Sequence, residues 1–492
     1  MTTPKSQPRP RPGPAKRSRQ KAPPPKTPAP ELLEVRGSPA QLLGRFHRLL
    51  SAPLLASWMA LSNKEFYQRA FTPLVTLWYC VFQRLGFNPH LSHVVEDALA
   101  GGADRLSPRG KPLSRQLSSE ATTSFSDARQ RLPLDLFHKA LRHIADRIGL
   151  DVQAPRSFGL RVALVDGSTV RLRSSGDIPR EFPPHRPGNC KKEPYWCLAR
   201  VVGMFALATG CVLDRVMGSC RTSEQALCAL LLQRPWKNWL LVGDRNFGVY
   251  SVVRAAVAAQ ARALFRLTKA RAAKLARAVG QPLLPGLDAT FDWFPSRQDQ
   301  CPAGLAPTPV RGRLIAVRVG RPGFRPFTLY LFTTLLDEVK CPARELAQLY
   351  AERWNVELCL RHLKAQMGLG FLECRSAGMA RKEWLAGLIA HNLIRWTMAV
   401  AAATARVPAP SLSFSRAREL VVGWCVRSGA RSRDVASWQR LLGRIARARL
   451  PKRRKRRPSE PRAVRAFQKD VAKLEGSRAA AREKLAQSHA NS

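Results

Sequence analysis

The sequence predicts an α/β protein, built on a mixed β-sheet with flanking helices and bordered by helical regions on both sides. Three observations support this prediction. Residues 36–155 carry apolar side chains at the three- and four-residue spacing of helices. From Phe158 onwards, short apolar runs alternate with helical segments, as strands and helices of one sheet do. Residues 401–450 return to helical spacing.

The composition points to a polyanionic partner. The chain has 492 residues, with 82 Lys and Arg against 34 Asp and Glu, which gives a net charge of +48. Its length predicts two or three domains, and such a charge favours binding to phosphates. Residues 1–35 are predicted to be a disordered basic arm, and residues 451–492, which include PKRRKRR, a basic polar tail. Charge alone does not separate an enzyme from a ribosomal or histone-like protein.

Neither a membrane nor an oxidising compartment is indicated. No signal peptide is visible, and the two longest apolar stretches contain Arg200 and Arg395, which are costly in hydrocarbon. The 11 cysteines include no CxxC pair. His185, Cys190 and Cys197 offer three zinc ligands, but their spacing fits no common zinc site. Reduced structural cysteines in a cytosolic protein are the simpler interpretation.

The helical N-terminal region contains one candidate for phosphate contact. The segment SSEATTSFSDARQRLP combines Ser and Thr caps with Arg129 and Arg131. This arrangement suits a helix N-terminus near a phosphate backbone. It suits a capped surface helix equally well.

The predicted sheet begins with GLRVALVDGSTVRL, an apolar run interrupted at Asp166-Gly167. Two further strands, CLARVVGMFALA and CVLDRVMGS, are joined by a glycine turn. The helix SEQALCALLLQRP, capped by Ser223, leads to the buried strand NWLLVGDRNFG, which ends at Asp244. Another helix and the strand ALFRLT complete the order strand, strand, strand, helix, strand, helix, strand, which describes a mixed sheet with packed helices.

A β-rich segment interrupts this core, which we predict to span residues 156–400. Residues from about 270 to 325 begin with the basic helix KARAAKLARAVG and continue through short strands rich in Pro and Gly. We interpret them as an inserted subdomain. The apolar strand FTLYLFTTLLD then returns the chain to the sheet, and KEWLAGLIAHNLIRWTMAVAAATA is predicted to be a long buried helix.

The segment YAERWNVELCLRHLK predicts a helix with an unusual face. At about 100° per residue, its functional side chains fall within roughly 80° of one another. One carboxylate then lies among three cations, which indicates a site that handles anions. The alternative is a surface ion-pair network around the glutamate, but that network does not account for the tyrosine and the lysine. The residues on this face are Tyr350, Arg353, Glu357, Arg361 and Lys364.

Three carboxylates are candidates for metal binding. Asp166 lies inside an apolar strand, where an ionised group needs a partner. Asp244 ends a strand, at the edge where α/β sheets place ligands, and Glu357 lies on the cationic helix. Oxygen ligands suit Mg²⁺ or Mn²⁺, and two such ions would promote displacement at a phosphodiester. Singly, each aspartate has an ordinary explanation, because Asp-Gly is a common turn and strand-end Asp often caps a helix.

These residues resemble a known signature. Tyr350, Arg353, Glu357 and Lys364 are separated by two, three and six residues, and this spacing is similar to that of insertion-sequence-4-type transposases of the DDE group. LVDGSTV and GDRNFGVY resemble the two aspartate motifs of that family, and LFTTLLD and AHNLIRW resemble the segments around its signature helix. FSDARQRLP and FTPLVTLWYCVFQRLG resemble its N-terminal domain. The likeness spans about residues 40–457.

The resemblance implies a ribonuclease-H-like core. Asp166, Asp244 and Glu357 would be catalytic ligands of two divalent metal ions, Mg²⁺ or Mn²⁺. The resemblance also implies a helical DNA-binding region at 36–155 and a β-rich insertion before the last carboxylate, which clamps DNA. The residues predicted to contact DNA are Tyr350, Arg353, Lys364, Arg361, Arg129 and Arg131.

Two further positions, Trp293 and Asn246-Phe247, are relevant to the resemblance. Trp293 in the insertion could stack on a flipped base or lie in the core. Asn246-Phe247 replaces the Gly-Tyr that usually follows the second aspartate motif, and phenylalanine keeps the ring.

The predicted function is that of a transposase that binds terminal inverted repeats, cleaves DNA through hairpin ends and joins them to a target. It would act as a homodimer on double-stranded DNA in the bacterial cytoplasm, at the nucleoid, without a membrane. Two alternatives remain open: a related metal-dependent DNA nuclease, and a non-catalytic DNA-binding protein derived from a transposase.

Overall fold

The computed structural model describes residues 32–451, apart from 36, 61–69, 87–89, 107–110, 185–195, 297–298, 300, 302–303, 321–326 and 429–432, and scattered positions between 477 and 487. Residues 1–31 of the predicted basic arm and most of the predicted basic tail lie outside these residues, while Glu34 and Val35, at the end of the predicted arm, form a short strand. So do His185 and Cys190 of the candidate zinc site. Residues 32–492 form one compact unit.

The first part of this unit is helical, and its helices begin where the sequence offers caps. Ser38 and Gln41 form a capping box, in which each side chain bonds the backbone N–H of the other residue. Thr72 caps a helix that has Pro73 in its first turn. The elements are β1 (Glu34–Val35), α1 (Pro39–Arg48), α2 (Ala52–Met59), α3 (Pro73–Leu85), α4 (Leu91–Leu99), α5 (Thr123–Arg131), α6 (Leu134–Asp151) and β2 (Val152–Gln153), which pairs with β1.

The second part contains the strands of one large sheet, with short helices between them. The predicted order of three strands, helix, strand, helix and strand is observed from Arg161 to Arg266, apart from a four-residue helix after the first strand. The elements are β3 (Arg161–Leu172), α7 (Ile178–Glu181), β4 (Cys197–Ala206), β5 (Val212–Ser219), α8 (Glu224–Leu231), β6 (Trp239–Gly243), α9 (Tyr250–Ala258), β7 (Arg262–Arg266), α10 (Lys269–Ala278), β8 (Asp288–Trp293), β9 (Val310–Val319) and β10 (Phe327–Thr333).

The last part is again helical and contributes one short strand. It contains α11 (Ala343–Ala351), α12 (Trp354–Arg361), β11 (Phe371–Leu372), α13 (Ala377–Thr404), α14 (Phe414–Ser428) and α15 (Val435–Arg447).

The sheet is mixed, as predicted. Its strand order is β5-β4-β3-β6-β7-β10-β9-β8, and β11 pairs with the end of β3. The meander β3, β4, β5 is antiparallel, and β6 and β7 continue parallel to β3. The two central strands are covered on both faces, which explains why their sequences are nearly continuous apolar runs. The prediction of a mixed α/β fold is therefore confirmed.

The β-rich segment differs from the inserted subdomain that we predicted. β10 pairs antiparallel with β7 and with β9, and β9 pairs with β8. The segment therefore extends the central sheet instead of forming a sheet of its own. Its inward side chains, among them Phe291 and Trp293, belong to the same apolar cluster as the helices α8 and α9.

The signature segment also differs from the single regular helix that we predicted. α11 ends at Ala351, and the turn at Glu352 and Arg353 is held by short-range bonds such as Arg353 N–H to the Tyr350 carbonyl, 3.0 Å. After Arg361, the helix widens into a π-helical turn over His362–Gln366. Such turns are rare and often lie at functional sites.

Helix α13 lies at the centre of the helical part. It packs against α3, α6, α14 and α15, and most of its residues are buried. It is long and apolar enough to span a membrane, yet 94% of its most apolar window is buried against protein. Asn392, which is costly in hydrocarbon, instead exchanges two hydrogen bonds with the backbone of Val212 in β5.

Candidate active site

Asp166 and Asp244 occupy neighbouring positions on adjacent parallel strands. In the pairing of β3 with β6, Val165 is opposite Gly243, and each aspartate is the next residue along its chain. Parallel neighbours lie about 4.8 Å apart, so two residues separated by 78 positions in the sequence become side-by-side groups. Their proximity also appears in their electrostatics, because Asp244 raises the pKa of Asp166.

Backbone N–H groups orient both aspartates. The Gly167 N–H donates to Asp166 Oδ1 at 2.8 Å, and the Asn246 N–H donates to Asp244 Oδ1 at 2.9 Å. Burial raises the pKa of Asp166 to about 6, although the Gly167 bond and Arg353 lower it. The negative charges of Asp244 and Glu224 add to the increase. Asp166 is therefore a carboxylate whose ionised form lacks sufficient positive charge nearby.

Arg353 connects the aspartate pair to Glu357. Its Nη1 lies 3.7 Å from Asp166 Oδ2, and its Nη2 donates to Glu357 Oε1 at 2.9 Å. The Asp166 side chain is 18% exposed and that of Glu357 is 39% exposed. Glu357 is thus held at the open side of the site, one guanidinium away from Asp166.

Lys364 and Tyr350 border the same site. Lys364, on the π-helical turn, donates from Nζ to Ser168 Oγ at 3.2 Å, two residues beyond Asp166. Tyr350 is buried, and its burial raises the pKa of its phenol. Asp244 and Arg353 both act on that phenol electrostatically. Four of the five residues predicted to share one face therefore meet around the aspartates, although the segment is not one regular helix.

The carboxylates suit a divalent metal in their chemistry. Hard oxygen donors are the ligands that Mg²⁺ prefers. The pKa of Asp166 is raised by burial and, to a smaller degree, by neighbouring negative charge, which a cation would offset. Within the part of the chain that the structure describes, no three His, Cys, Asp or Glu side chains converge closely enough to hold an ion. Arg353 is the positive group that lies between Asp166 and Glu357.

A known domain covers this site. The family model described as "Transposase DDE domain" matches residues 157–393, a range that contains all three carboxylates. The chain carries the DDE domain of transposases. This transposase is 24% identical over 422 residues to the transposase InsG for insertion sequence element IS4 of Escherichia coli (strain K12), which covers 83% of this chain and 89% of that protein. The predicted family is therefore confirmed.

A solved structure is similar over much of the chain. It is described as a cryo-EM structure of a piggyBac transposase synaptic complex with hairpin DNA. The match has a TM-score of 0.40 and 10% sequence identity, and covers 82% of each chain.

The remaining candidate residues of the transposase include two exposed arginines and one buried tryptophan. Arg361 and Arg131 are exposed, so their guanidinium groups are open to a ligand. Trp293 is 5% exposed and packs edge-on against Tyr250 and Phe332, with ring centroids 6.2 and 4.9 Å away. Of the two interpretations of Trp293, the structure supports the core residue, because a ring fixed in this way cannot stack on a base.

The prediction that Arg129 contacts DNA is wrong for this structure. Arg129 is 8% exposed, and its Nη2 lies 3.3 Å from Glu383 Oε1 while Nη1 donates to Gln83 Oε1 at 3.0 Å. Arg84 forms a second ion pair with the same glutamate. The largely buried carboxylate of Glu383 therefore pairs with both arginines, and the guanidinium of Arg129 stabilises the transposase interior.

Sequence reasoning missed two residues of the site, Glu224 and Asn246. Glu224 opens α8, and its carboxylate lies against Gly167, where an added Cβ would overlap it. Asn246 Nδ2 donates to Glu224 Oε2 at 2.5 Å. The only signal in the sequence was the presence of Asn246 where the resembled family usually has glycine.

Proposed function

We propose that this DDE transposase binds the terminal inverted repeats of an insertion sequence, cleaves them by a metal-dependent reaction and joins them to target DNA. The observation that carries this proposal is the pair of neighbouring aspartates, Asp166 within β3 and Asp244 directly after β6, connected through Arg353 to Glu357. The core is proposed to be ribonuclease-H-like. Its support is a sheet of three antiparallel strands followed by two parallel strands, with the aspartates on the first and after the fourth.

Asp166, Asp244 and Glu357 would hold two Mg²⁺ or Mn²⁺ ions. Bound ions would supply activation of a water or 3′-hydroxyl and stabilisation of the leaving oxygen. Arg353 contacts both Asp166 and Glu357 in the structure, and it would be free to leave these carboxylates if they held cations instead. We propose that Arg353 then pairs with a DNA phosphate, for which its planar fork is well suited.

Lys364 and Arg361 are proposed to hold the DNA backbone beside the carboxylates, and Arg131 to hold it further away. Lys364 donates a hydrogen bond to Ser168, two residues beyond Asp166, so its ammonium would lie near a phosphate bound at the carboxylates. A cut-and-paste route with hairpin ends, a homodimer that joins two ends, and a location at the bacterial nucleoid complete the proposal. Their support is the family membership and the charge of +48.

The test is a cleavage assay with Mg²⁺ on DNA that carries the element's own ends. It compares the wild type, Glu357→Ala and Glu352→Ala. Glu352 is an exposed glutamate five residues earlier, whose carboxylate accepts only a bond from Asn355 among the contacts that the structure describes. We expect nicked and hairpin ends from the wild type and the control, and none from Glu357→Ala, which should still bind the DNA.

The products distinguish the proposal from its alternatives. Ends joined to target DNA identify a transposase, and cleaved ends that never join identify a nuclease. Tight DNA binding without cleavage by any of the three proteins would identify a non-catalytic DNA-binding protein. Equal cleavage by the wild type and Glu357→Ala would remove Glu357 from the site.

A further inference from the structure

Glu224 is a fourth carboxylate at the aspartate pair. It is the first residue of α8, directly after Ser223, whose Oγ accepts the Ala226 N–H at 3.1 Å. This cap fixes the first turn and so the direction in which Glu224 points. The carboxylate lies against the Cα of Gly167, and a side chain at Gly167 would overlap it. Glu224 therefore touches the residue that follows Asp166.

Asn246 connects Glu224 to the second aspartate. Its Nδ2 donates to Glu224 Oε2 at 2.5 Å, and its backbone N–H donates to Asp244 Oδ1 at 2.9 Å. Gln225 holds the same asparagine from the other side, because its Nε2 donates to the Asn246 carbonyl at 3.0 Å and to Asn246 Oδ1 at 2.7 Å. The N-terminal turn of α8 thus clamps the loop that presents Asp244.

We propose that Glu224 is a positioning residue for both aspartates, acting through its contact with Gly167 and its hydrogen bond to Asn246. This inference rests on the proposed function, since it concerns the same carboxylates. A glutamate in the first turn of a helix is common because the helix dipole favours it. That preference explains the residue type. It does not explain why one carboxylate touches both the strand that carries Asp166 and the loop that carries Asp244.

The clamp depends on the side chain of Asn246, because a glycine at this position would have no group that could donate to Glu224. The negative charge of Glu224 also acts on Asp166. The charge of Glu224 therefore destabilises the ionised form of Asp166. The positioning role proposed here, which orients Asp244 through Asn246, gives a reason for a carboxylate at this position. Residues that orient metal ligands typically change metal affinity or activity about 10- to 100-fold when they are removed.

The first test measures the affinity for Mn²⁺ alone, by calorimetry on the full chain without DNA, and then cleavage of end DNA. Glu224→Ala should weaken Mn²⁺ binding and slow cleavage about 10- to 100-fold. Glu224→Gln keeps a carbonyl oxygen that can accept from Asn246, so it should restore both values close to the wild type. If Glu224→Gln is as impaired as Glu224→Ala, the charge itself matters and the proposed positioning role is overturned.

The second test asks whether Glu224 acts through Asn246. In a double-mutant cycle, Glu224→Ala and Asn246→Ala should each cause a loss, and the double variant should lose no more than the worse single variant. Fully additive losses in Mn²⁺ affinity would overturn the inference, because the two side chains would then act independently. Glu345→Ala is the matched control, since Glu345 also lies in the first turn of a helix, α11, and is exposed.

These tests separate the inference from the proposed function. If Asp244→Asn leaves Mn²⁺ binding unchanged, the proposed metal site fails. If Asp244→Asn abolishes Mn²⁺ binding while Glu224→Ala binds like the wild type, the metal site stands and the positioning role of Glu224 is overturned. Thermal unfolding of each variant, followed by circular dichroism, verifies that it is folded, and Glu224→Gln supplies a near-isosteric variant should Glu224→Ala fail to fold.

Discussion

Asp166 shows how a functional group opposes the stability of its own fold. It lies in a strand covered on both faces, next to Asp244 and near Glu224, and the guanidinium of Arg353 is 3.7 Å away. Burial and these like charges keep the pKa of Asp166 at about 6, above its usual value of 3.8. In an unfolded chain, water would hydrate the same carboxylate without these costs.

This shift predicts that Asp166→Asn stabilises the protein when no divalent ion is present. The folded state binds the Asp166 proton more tightly than the unfolded state, so wild-type stability decreases as pH rises from about 4 to about 6 and is level above that. The asparagine variant lacks this loss. We therefore compare the free energy of unfolding of Asp166→Asn with that of the wild type. The difference should favour the variant by at most about 3 kcal/mol more at pH 8 than at pH 4.

Thermal unfolding at the two pH values, in the presence of a chelator, measures this difference. Adding Mg²⁺ should then stabilise the wild type and leave the variant unchanged, because a ligand stabilises only the state that binds it. A variant that is equally destabilised at both pH values would contradict the raised pKa of Asp166.

At the scale of elements, one largely buried carboxylate joins the helices α3, α5 and α13. Glu383 on α13 pairs with Arg84 on α3 and with Arg129 on α5. Removing one partner from a buried ion pair leaves the other charge without compensation. The neighbouring Arg131, on the same helix, is exposed and offers a matched comparison.

We therefore predict opposite effects for two arginines that are two residues apart. Arg129→Met should lower the apparent free energy of unfolding by about 3 kcal/mol, with no change in the DNA affinity of the folded protein. Arg131→Met should change stability by less than about 0.5 kcal/mol and weaken DNA binding. Urea unfolding and fluorescence anisotropy on end DNA measure the two quantities. Normal stability with weakened DNA binding in Arg129→Met would restore the original prediction for that residue.

The sequence predicts individual helices and strands better than it predicts which of them pair or pack together. The strands β3, β4, β5, β6 and β7 were visible because apolar runs bounded by turns are a local signal. No local pattern in the sequence indicates which edge of the sheet β8 and β9 join. That edge is set by the pairing of β9 with β10, which depends on the whole sheet. The burial of Arg129 was hidden for the same reason, because its partner Glu383 lies 254 residues away.

The site was predictable to a similar degree. A regular helix predicted the correct neighbours from an incorrect backbone conformation. Four side chains meet at the site although a turn precedes α12 and a π-helical turn follows it, namely Tyr350, Arg353, Glu357 and Lys364. Arg361 is the exception, because it points to solvent. Glu224 could not be found, since only folding brings the start of α8 against Gly167.

At the scale of the whole molecule, charge dominates. The described acidic residues that matter most to the fold are already paired, as Asp288 is with Arg313 and Glu383 is with Arg84 and Arg129. The excess of 82 basic over 34 acidic residues therefore leaves many cations for a polyanion.

This excess predicts steep salt dependence of DNA binding. If six to ten phosphates are neutralised, affinity should fall about 10³- to 10⁵-fold between 50 and 200 mM salt, because counterions are released on binding. Fluorescence anisotropy with random-sequence duplexes measures the slope. Affinity that stays constant across this range would exclude phosphate neutralisation as the main source of binding.

The central position of α13 has a consequence for how the protein is made. All residues of α3 are buried, and α13 is one of the helices that cover them. During synthesis at about 5–20 residues per second, α13 leaves the ribosome on the order of tens of seconds after α3. Until then the apolar surface of α3 lacks this cover and is a binding site for chaperones. A nascent chain that stops before residue 377 would keep it exposed, so α3 obtains this cover only after α13 has been synthesised.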